Sequence, residues 1–243
     1  MEARNQIEYI CVFCGSSEKA ARKYAEAAIQ LAECIVGNGY GLVFGGANVG
    51  LMGLMANIVK KRGGQVKGII TQDVKDMEVG YPGIELVMTD NLEERKKKMM
   101  ALSAGCISLP GGLGTFDELN WLNVVNQFDT FKGKEVKPHA VFNIDGYYKG
   151  TIDQINRGVD DGFIDKKHAQ LIYFSDNPTS LVQHISNFQQ PKPDKSRWWE
   201  ERDMPYLDNV SLFKRDSLEC REGETSYLTE KNKTVYGKKL NSQ

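Results

Sequence analysis

Three times in its first half the chain repeats one local pattern, a short β-rich run that stops at glycine and gives way to a helical periodicity. IEYICVFC (7–14) stops at Gly15-Ser16-Ser17, after which Tyr24, Ala28, Leu31 and Ile35 recur at helical spacing. YGLVF (40–44) runs into GGANVGLMG (45–53), with Leu54, Met55, Ile58 and Val59 continuing as a helix. CISL (106–109) runs into PGGLGT, and Phe116, Leu119, Leu122 and Val125 follow. Strands that alternate with helices of this length predict an α/β Rossmann-like fold, a doubly wound parallel sheet with helices on both faces. In such a sheet the turns after the strands gather at one edge, where ligands bind.

The rest of the first 188 residues continues the alternation. QVKGII (65–70), ELVMTD (85–90) and VKPHAVFNI (136–144) read as strands, and residues 71–84 as a polar loop. NLEERKKKMMALSAG reads as a helix capped by Asp90 or Asn91. Another helix passes through Ile152, Ile155 and Val159 to Gly162, and a last one covers 178–188. From Gln189 to Gln243 periodicity fades and charge rises, so the expected organisation is one domain over 1–188 and a polar extension over 189–243. That extension reads equally as an arm anchored by Trp198 and Trp199 or a partly disordered tail, and an element that controls assembly is a weaker third reading.

LPGGLGTFDE (109–118) is the most informative of the turns. Pro110, Gly111, Gly112 and Gly114 forbid a regular element, and glycine lets main-chain N–H groups approach a ligand. A helix beginning at Thr115 adds free amides and a positive dipole end, which suits a phosphate. Glu118 then sits in the first turn beside it. The plain alternative is a capping box, Thr115 and Glu118 closing the helix reciprocally. The glycines and proline ahead of it favour an anion site with a carboxylate at hand.

The other turns supply further substrate-binding candidates, Gly15 and Ser16 from the first, Gly45, Gly46, Asn48, Gly50 and Met52 from the second. Each has a structural alternative: Ser16 or Ser17 as a helix cap, the glycines as close helix-to-sheet packing. Neither G-x-G-x-x-G nor a P-loop is present. Cys11-x-x-Cys14 lies within a strand, so its side chains point to opposite faces and buried packing is the expected role. The run Glu93 to Lys98 reads as a solvated helix face, within which spacing alone does not select Arg95.

Charge and composition exclude several classes. Lys plus Arg number 31 against 32 Asp plus Glu, so no basic field points to nucleic acid. The five cysteines are scattered and describe no disulfide framework. No apolar run approaches the roughly 20 residues that span a bilayer, and MEARNQIEYI lacks a signal-peptide core. A cytoplasmic protein without membrane partners is the expectation.

CVFCGSS (11–17), GGANVGLMG (45–53), Arg95-Lys96 and PGGLGTFDE (110–118), in this order, resemble the Lonely Guy family of cytokinin riboside 5′-monophosphate phosphoribohydrolases, often labelled lysine-decarboxylase-like. NIDGYY and DDGFI are also similar, and the likeness covers about residues 7–188. It implies a Rossmann-like, usually dimeric enzyme that splits a nucleoside 5′-monophosphate into free base and ribose 5-phosphate with no cofactor or metal. It implies Arg95 and Glu118 as the catalytic pair, with Lys96, Pro110, Gly111, Gly112, Gly114 and Thr115 holding phosphate and ribose. The dipole would keep Glu118 ionised, as a base requires. A non-catalytic nucleotide carrier on the same fold is the alternative. The chain departs from the family's Met-His-x-Arg-Lys at Leu92-Glu93-Glu94-Arg95-Lys96, and from its Thr-Trp at Val124-Val125. The resemblance therefore reaches the reaction further than the base.

Overall fold

The computed structural model describes residues 8–78 and 80–192. Within them the chain runs β1 (Tyr9–Phe13), α1 (Arg22–Gly37), β2 (Gly41–Phe44), α2 (Gly50–Lys61), β3 (Val66–Thr71) and α3 (Gln72–Glu78). It continues through β4 (Glu85–Thr89), α4 (Leu92–Ala101), β5 (Gly105–Ser108), α5 (Leu113–Lys132) and β6 (His139–Phe142). A short helical turn, Ile144–Gly146, leads to α6 (Lys149–Asp160), α7 (Lys166–Ala169), β7 (Ile172–Ser175) and α8 (Pro178–Ser186).

The described strands form one parallel sheet in the order β4-β3-β2-β1-β5-β6-β7. The chain grows outward from β1 on one side, then returns to place β5 against β1 and grows outward on the other. The crevice beyond the ends of β1 and β5 is thus the point where the winding reverses, the position at which such sheets bind ligands.

Alternation along the strands divides the core between the two faces. Ile10, Val12, Leu42 and Phe44 pack with Leu31, Ile35, Met55, Val59 and Leu181 from α1, α2 and α8. Cys11, Phe13, Val43, Ile69 and Cys106 pack with Met99 of α4 and Leu122 of α5 on the other face. Cys11 and Cys14 fall into these two different clusters, both buried and unbonded, as a strand's two-residue period requires.

Three elements depart from the sequence reading, the four-residue α7 among them. The stretch expected as loop at 71–84 begins with α3, where the Thr71 hydroxyl accepts the Val74 N–H at 3.3 Å. QDVKDME carries too few apolar residues to show a helical stripe, and none of its side chains is fully buried. β7, which was not expected, completes the sheet beyond β6 with four residues. Ile172 and Phe174 pack beside Val141 of β6 and Tyr173 on the opposite face, an alternation too short to stand out in sequence.

The Gln190 side-chain amide pairs with both main-chain groups of Val136, accepting its N–H at 2.9 Å and donating to its carbonyl at 2.8 Å. The arm, tail or assembly element expected around Trp198 and Trp199 lies outside the described residues. Among the described residues no helix is long and apolar enough to cross a membrane.

Candidate active site

The glycine turns meet at the winding reversal. The Leu109 N–H donates to the Phe13 carbonyl at 2.8 Å, carrying the β1–β5 ladder to its end, and the Gly15 N–H reaches the Pro110 carbonyl at 3.2 Å. The Leu51 N–H, at the start of α2, donates to the Gly15 carbonyl at 3.0 Å. Gly50 sits at φ +52°, where a Cβ would stand 2.5 Å from the Ser16 carbonyl carbon. The second turn can lie against the first only because that position is glycine. Since α1 begins at Arg22 with Ala21 as its cap, neither Ser16 nor Ser17 closes a helix.

The third turn presents a helix end. α5 starts at Leu113 with Gly112 as its cap, two residues before the expected start at Thr115. The capping box therefore does not form: Thr115 already lies in the first turn and Glu118 in the second. Its first backbone bond joins the Phe116 N–H to the Gly112 carbonyl at 3.1 Å, so the amides of Leu113, Gly114 and Thr115 precede the helical ladder. They open on a cleft of about 280 Å³.

Arg95 and Glu118 face each other on that cleft. The Arg95 guanidinium donates through Nε to the Ile69 carbonyl at 2.8 Å and through Nη2 to the Gly45 carbonyl at 2.9 Å. Its Nη1 faces Glu118 Oε1 at 3.4 Å. A carbonyl within β3 and one just beyond β2 thus hold the planar fork while a third nitrogen addresses the carboxylate. Gly45 makes room for it, since a Cβ there would lie 2.0 Å from Arg95 Nη2. Gly45→Ala is expected to displace the guanidinium and cut activity by at least tenfold, measured as kcat/KM beside an unchanged far-ultraviolet spectrum.

Burial pushes the Glu118 carboxyl up to about 7, with the Arg95 charge opposing the rise and Asp117 and Glu78 adding to it. The expectation that the helix dipole would hold Glu118 firmly ionised is corrected: desolvation of a buried carboxylate outweighs it. A group poised near neutrality suits proton transfer.

The cleft gathers Gly15, Ser16, Gly45, Met52, Arg95, Gly112, Gly114, Thr115 and Glu118. Asn48 and Gly50 line a neighbouring groove of about 540 Å³ with Tyr81 and Asn57. Gly46, Pro110 and Gly111 line neither, and shape the turns. Lys96, expected among the phosphate contacts, is buried, with Nζ 2.9 Å from Asp117 Oδ2, 3.4 Å from Glu93 Oε2 and 5.5 Å over the Trp121 ring. Arg95 lines the cleft and Lys96, its neighbour on α4, does not. The Lys96–Asp117 and Arg95–Glu118 pairs instead form two rungs between α4 and α5.

Sequence reasoning missed Glu78, Val74, Leu92 and Leu113 in the cleft wall. Glu78 ends the helix that was read as loop, so no local signal aimed it here. It also missed the buried chain behind α5, in which Ser108 Oγ lies 2.9 Å from His139 Nε2 and His139 Nδ1 lies 2.8 Å from Asn123 Oδ1. Burial holds His139 down at about 3, hence neutral, and the cleft does not reach Ser108. The chain pins α5 to β5 and β6. Among the described residues no group of three or more His, Cys, Asp or Glu could hold a metal ion.

The family described as possible lysine decarboxylase matches residues 52–185 of this chain. A cytokinin riboside 5′-monophosphate phosphoribohydrolase of Arabidopsis thaliana is 37% identical over 204 residues, 82% of this chain and 87% of the relative. A probable enzyme of the same name from Oryza sativa subsp. japonica is 32% identical over 87% of this chain and 86% of the relative. Among solved structures, the molybdenum cofactor binding protein of Rippkaea orientalis superposes with a TM-score of 0.54 at 22% identity, covering 74% of this chain and 96% of that one. At that identity the likeness is one of fold.

Proposed function

We propose, from the premise that this chain belongs to the Lonely Guy family of phosphoribohydrolases, that it hydrolyses the N-glycosidic bond of a nucleoside 5′-monophosphate, a cytokinin riboside monophosphate or AMP, to free base and ribose 5-phosphate. The observation that carries the reading is the Arg95–Glu118 pair, buried 3.4 Å apart on the same cleft as the unladdered amides that open α5. One end of that cleft suits a phosphate and the other a sugar carbon that becomes cationic.

Departure of the base gives C1′ oxocarbenium character, and a carboxylate in a dry site stabilises that charge more than water does. Ionised Glu118 is also placed to take a proton from the attacking water. The hydroxyl joins C1′, and the base leaves with one proton. Arg95 is always charged and donates no proton; it holds Glu118 in place and draws the carboxyl toward its ionised form. The amides of Gly112, Leu113, Gly114 and Thr115 supply the phosphate contacts. Lys96 braces α4 against α5 through Asp117.

The test is direct. Purified protein incubated with AMP and N6-substituted AMP is expected to release base and ribose 5-phosphate in equal amounts. Saturable binding with no release of base would leave the non-catalytic carrier reading in its place.

We also propose that the protein assembles as a homodimer through α5. Val124 (50% exposed) and Phe128 (54%) lie one turn apart on the open side of α5, with Leu113 (86%) farther along the same side beyond Asn120 and Asp117. Phe128→Glu is expected to convert a sedimenting dimer into a monomer. A wild-type monomer at micromolar concentration contradicts the proposal.

A further inference from the structure

Two adjacent tyrosines clasp the turn that opens the candidate phosphate cradle. The Tyr147 hydroxyl donates to the Gly111 carbonyl at 2.5 Å, and the Tyr148 hydroxyl donates to the Leu109 carbonyl, also at 2.5 Å. The bonds look alike, yet they act on chemically different peptides. A trans peptide is planar and points its C=O and N–H in opposite directions. The Gly111 carbonyl shares its peptide with the Gly112 N–H, whereas the Leu109 carbonyl shares its peptide with Pro110, which has no N–H.

We infer that Tyr147 is a positioning residue for anion recognition: by holding the Gly111 carbonyl on the far side of the turn, its hydroxyl turns the Gly112 N–H toward the cleft. Gly112 lines the cleft, whereas neither Tyr147 nor Gly111 does, an arrangement in keeping with a carbonyl held away from the cleft. Gly112 then adds a fourth amide to those of Leu113, Gly114 and Thr115. The inference rests on the reading of this helix end as the phosphate site.

The segment that delivers Tyr147 is built to hold it still. Asp145 is the one non-glycine with positive φ among the described residues, at +50°, a conformation kept only where surroundings over-determine it. Lys23 of α1 pairs with the Asp145 carboxylate. The Tyr147 ring meets Tyr24 edge-on at 5.6 Å and Tyr148 at 5.0 Å, while Asn143 Oδ1 accepts the Tyr148 N–H at 2.8 Å. A phenol partly open to solvent is thereby fixed by α1 on one side and its neighbour on the other. Among the described residues its hydroxyl has one partner, the Gly111 carbonyl of the turn.

Tyr147→Phe and Tyr148→Phe separate the inference from general support of the loop, because each removes one oxygen and keeps its ring. The probes are inorganic phosphate and ribose 5-phosphate, titrated calorimetrically into the full chain. Tyr147→Phe is expected to weaken both by roughly three- to tenfold, the loss of one hydrogen bond's worth of alignment, with little change in melting temperature. The pH at which turnover reaches half its plateau stays unchanged, since Glu118 is not touched. Tyr148→Phe, which strips a buried carbonyl of its donor on a peptide without N–H, is expected to lower the melting temperature and leave phosphate affinity within twofold.

Wild-type phosphate affinity in Tyr147→Phe overturns the inference while leaving the phosphate site intact. Equal weakening in both variants overturns it as well, since the peptide-plane argument requires them to differ. Failure of the wild-type protein to bind either probe at millimolar concentration removes the phosphate reading and this inference with it.

Discussion

Glu118→Gln is expected to lower turnover of a nucleoside 5′-monophosphate by about a thousandfold while leaving ribose 5-phosphate affinity within a few-fold of wild type. The amide keeps the shape and a contact with Arg95, but carries no charge to stabilise the sugar cation and accepts no proton from water. Because burial lifts the wild-type carboxyl to about 7, the wild-type rate is expected to rise with pH and level off above neutrality. A rate that is flat between about pH 5.5 and 8.5 would remove Glu118 from the base role.

The same group ties stability to pH, with a definite sign. An ordinary glutamate titrates at 4.5, and Glu118 in the folded protein at about 7, so between these values the folded state keeps a proton that the unfolded chain has released. Stability present below the lower value is therefore lost as pH rises toward the upper one. The loss amounts to about 3 kcal/mol, on the order of 1.4 kcal/mol per pH unit of separation. Glu118→Gln lacks this slope. Urea midpoints at pH 4.5 and pH 8 should show the variant gaining on wild type at the higher pH; a constant difference would mean that the carboxyl titrates normally.

Arg95→Ala carries the second large effect. It strips the donors from the Ile69 and Gly45 carbonyls and leaves the Glu118 carboxyl buried without the cation that draws its pKa down. Breaking a buried pair from one side costs about 3 kcal/mol of stability, moderated here because Glu118 can take up a proton. At pH 7.5 turnover is expected to fall by at least about a hundredfold, with the residual rate rising only at more alkaline pH. Arg95→Lys is expected to recover little of it, because one ammonium cannot meet two carbonyls and a carboxylate in the geometry of the planar fork. An Arg95→Ala rate profile with its limb still near neutrality would show that Arg95 does not govern the Glu118 charge.

The structure sorts the site residues by a consideration that spacing lacks. Gly15, Gly45, Gly112 and Thr115 reach the cleft because they follow strands at the sheet edge, a placement that alternation of elements already implies. Glu78 reaches it through a helix whose sequence shows no stripe, and β7 joins the sheet through main-chain bonds. The helix was illegible because its side chains bury too little for periodicity to record them, and β7 because four residues are too few for its alternation of Ile172 and Phe174 against Tyr173 to stand out. The α4 cap was legible as Asp90 or Asn91, because capping depends on residues only three apart, and the structure selects Asn91, whose Oδ1 accepts the Glu94 N–H at 2.8 Å.

What the sequence determined alone is local and repetitive: strand, glycine turn and helix in succession, hence a parallel sheet, its ligand edge, and a helix end bearing Glu118. What only the tertiary structure decided is which charges become chemistry. In the run Glu93 to Lys98 every residue is polar, and packing of α4 beside β3 and α5 buries Arg95 against two carbonyls and Lys96 against Asp117. The Glu118 charge was decided in the same way. A helix end read locally predicts a depressed carboxyl, but the surrounding core withdraws water from it, and loss of hydration outweighs a partial charge two turns of chain away.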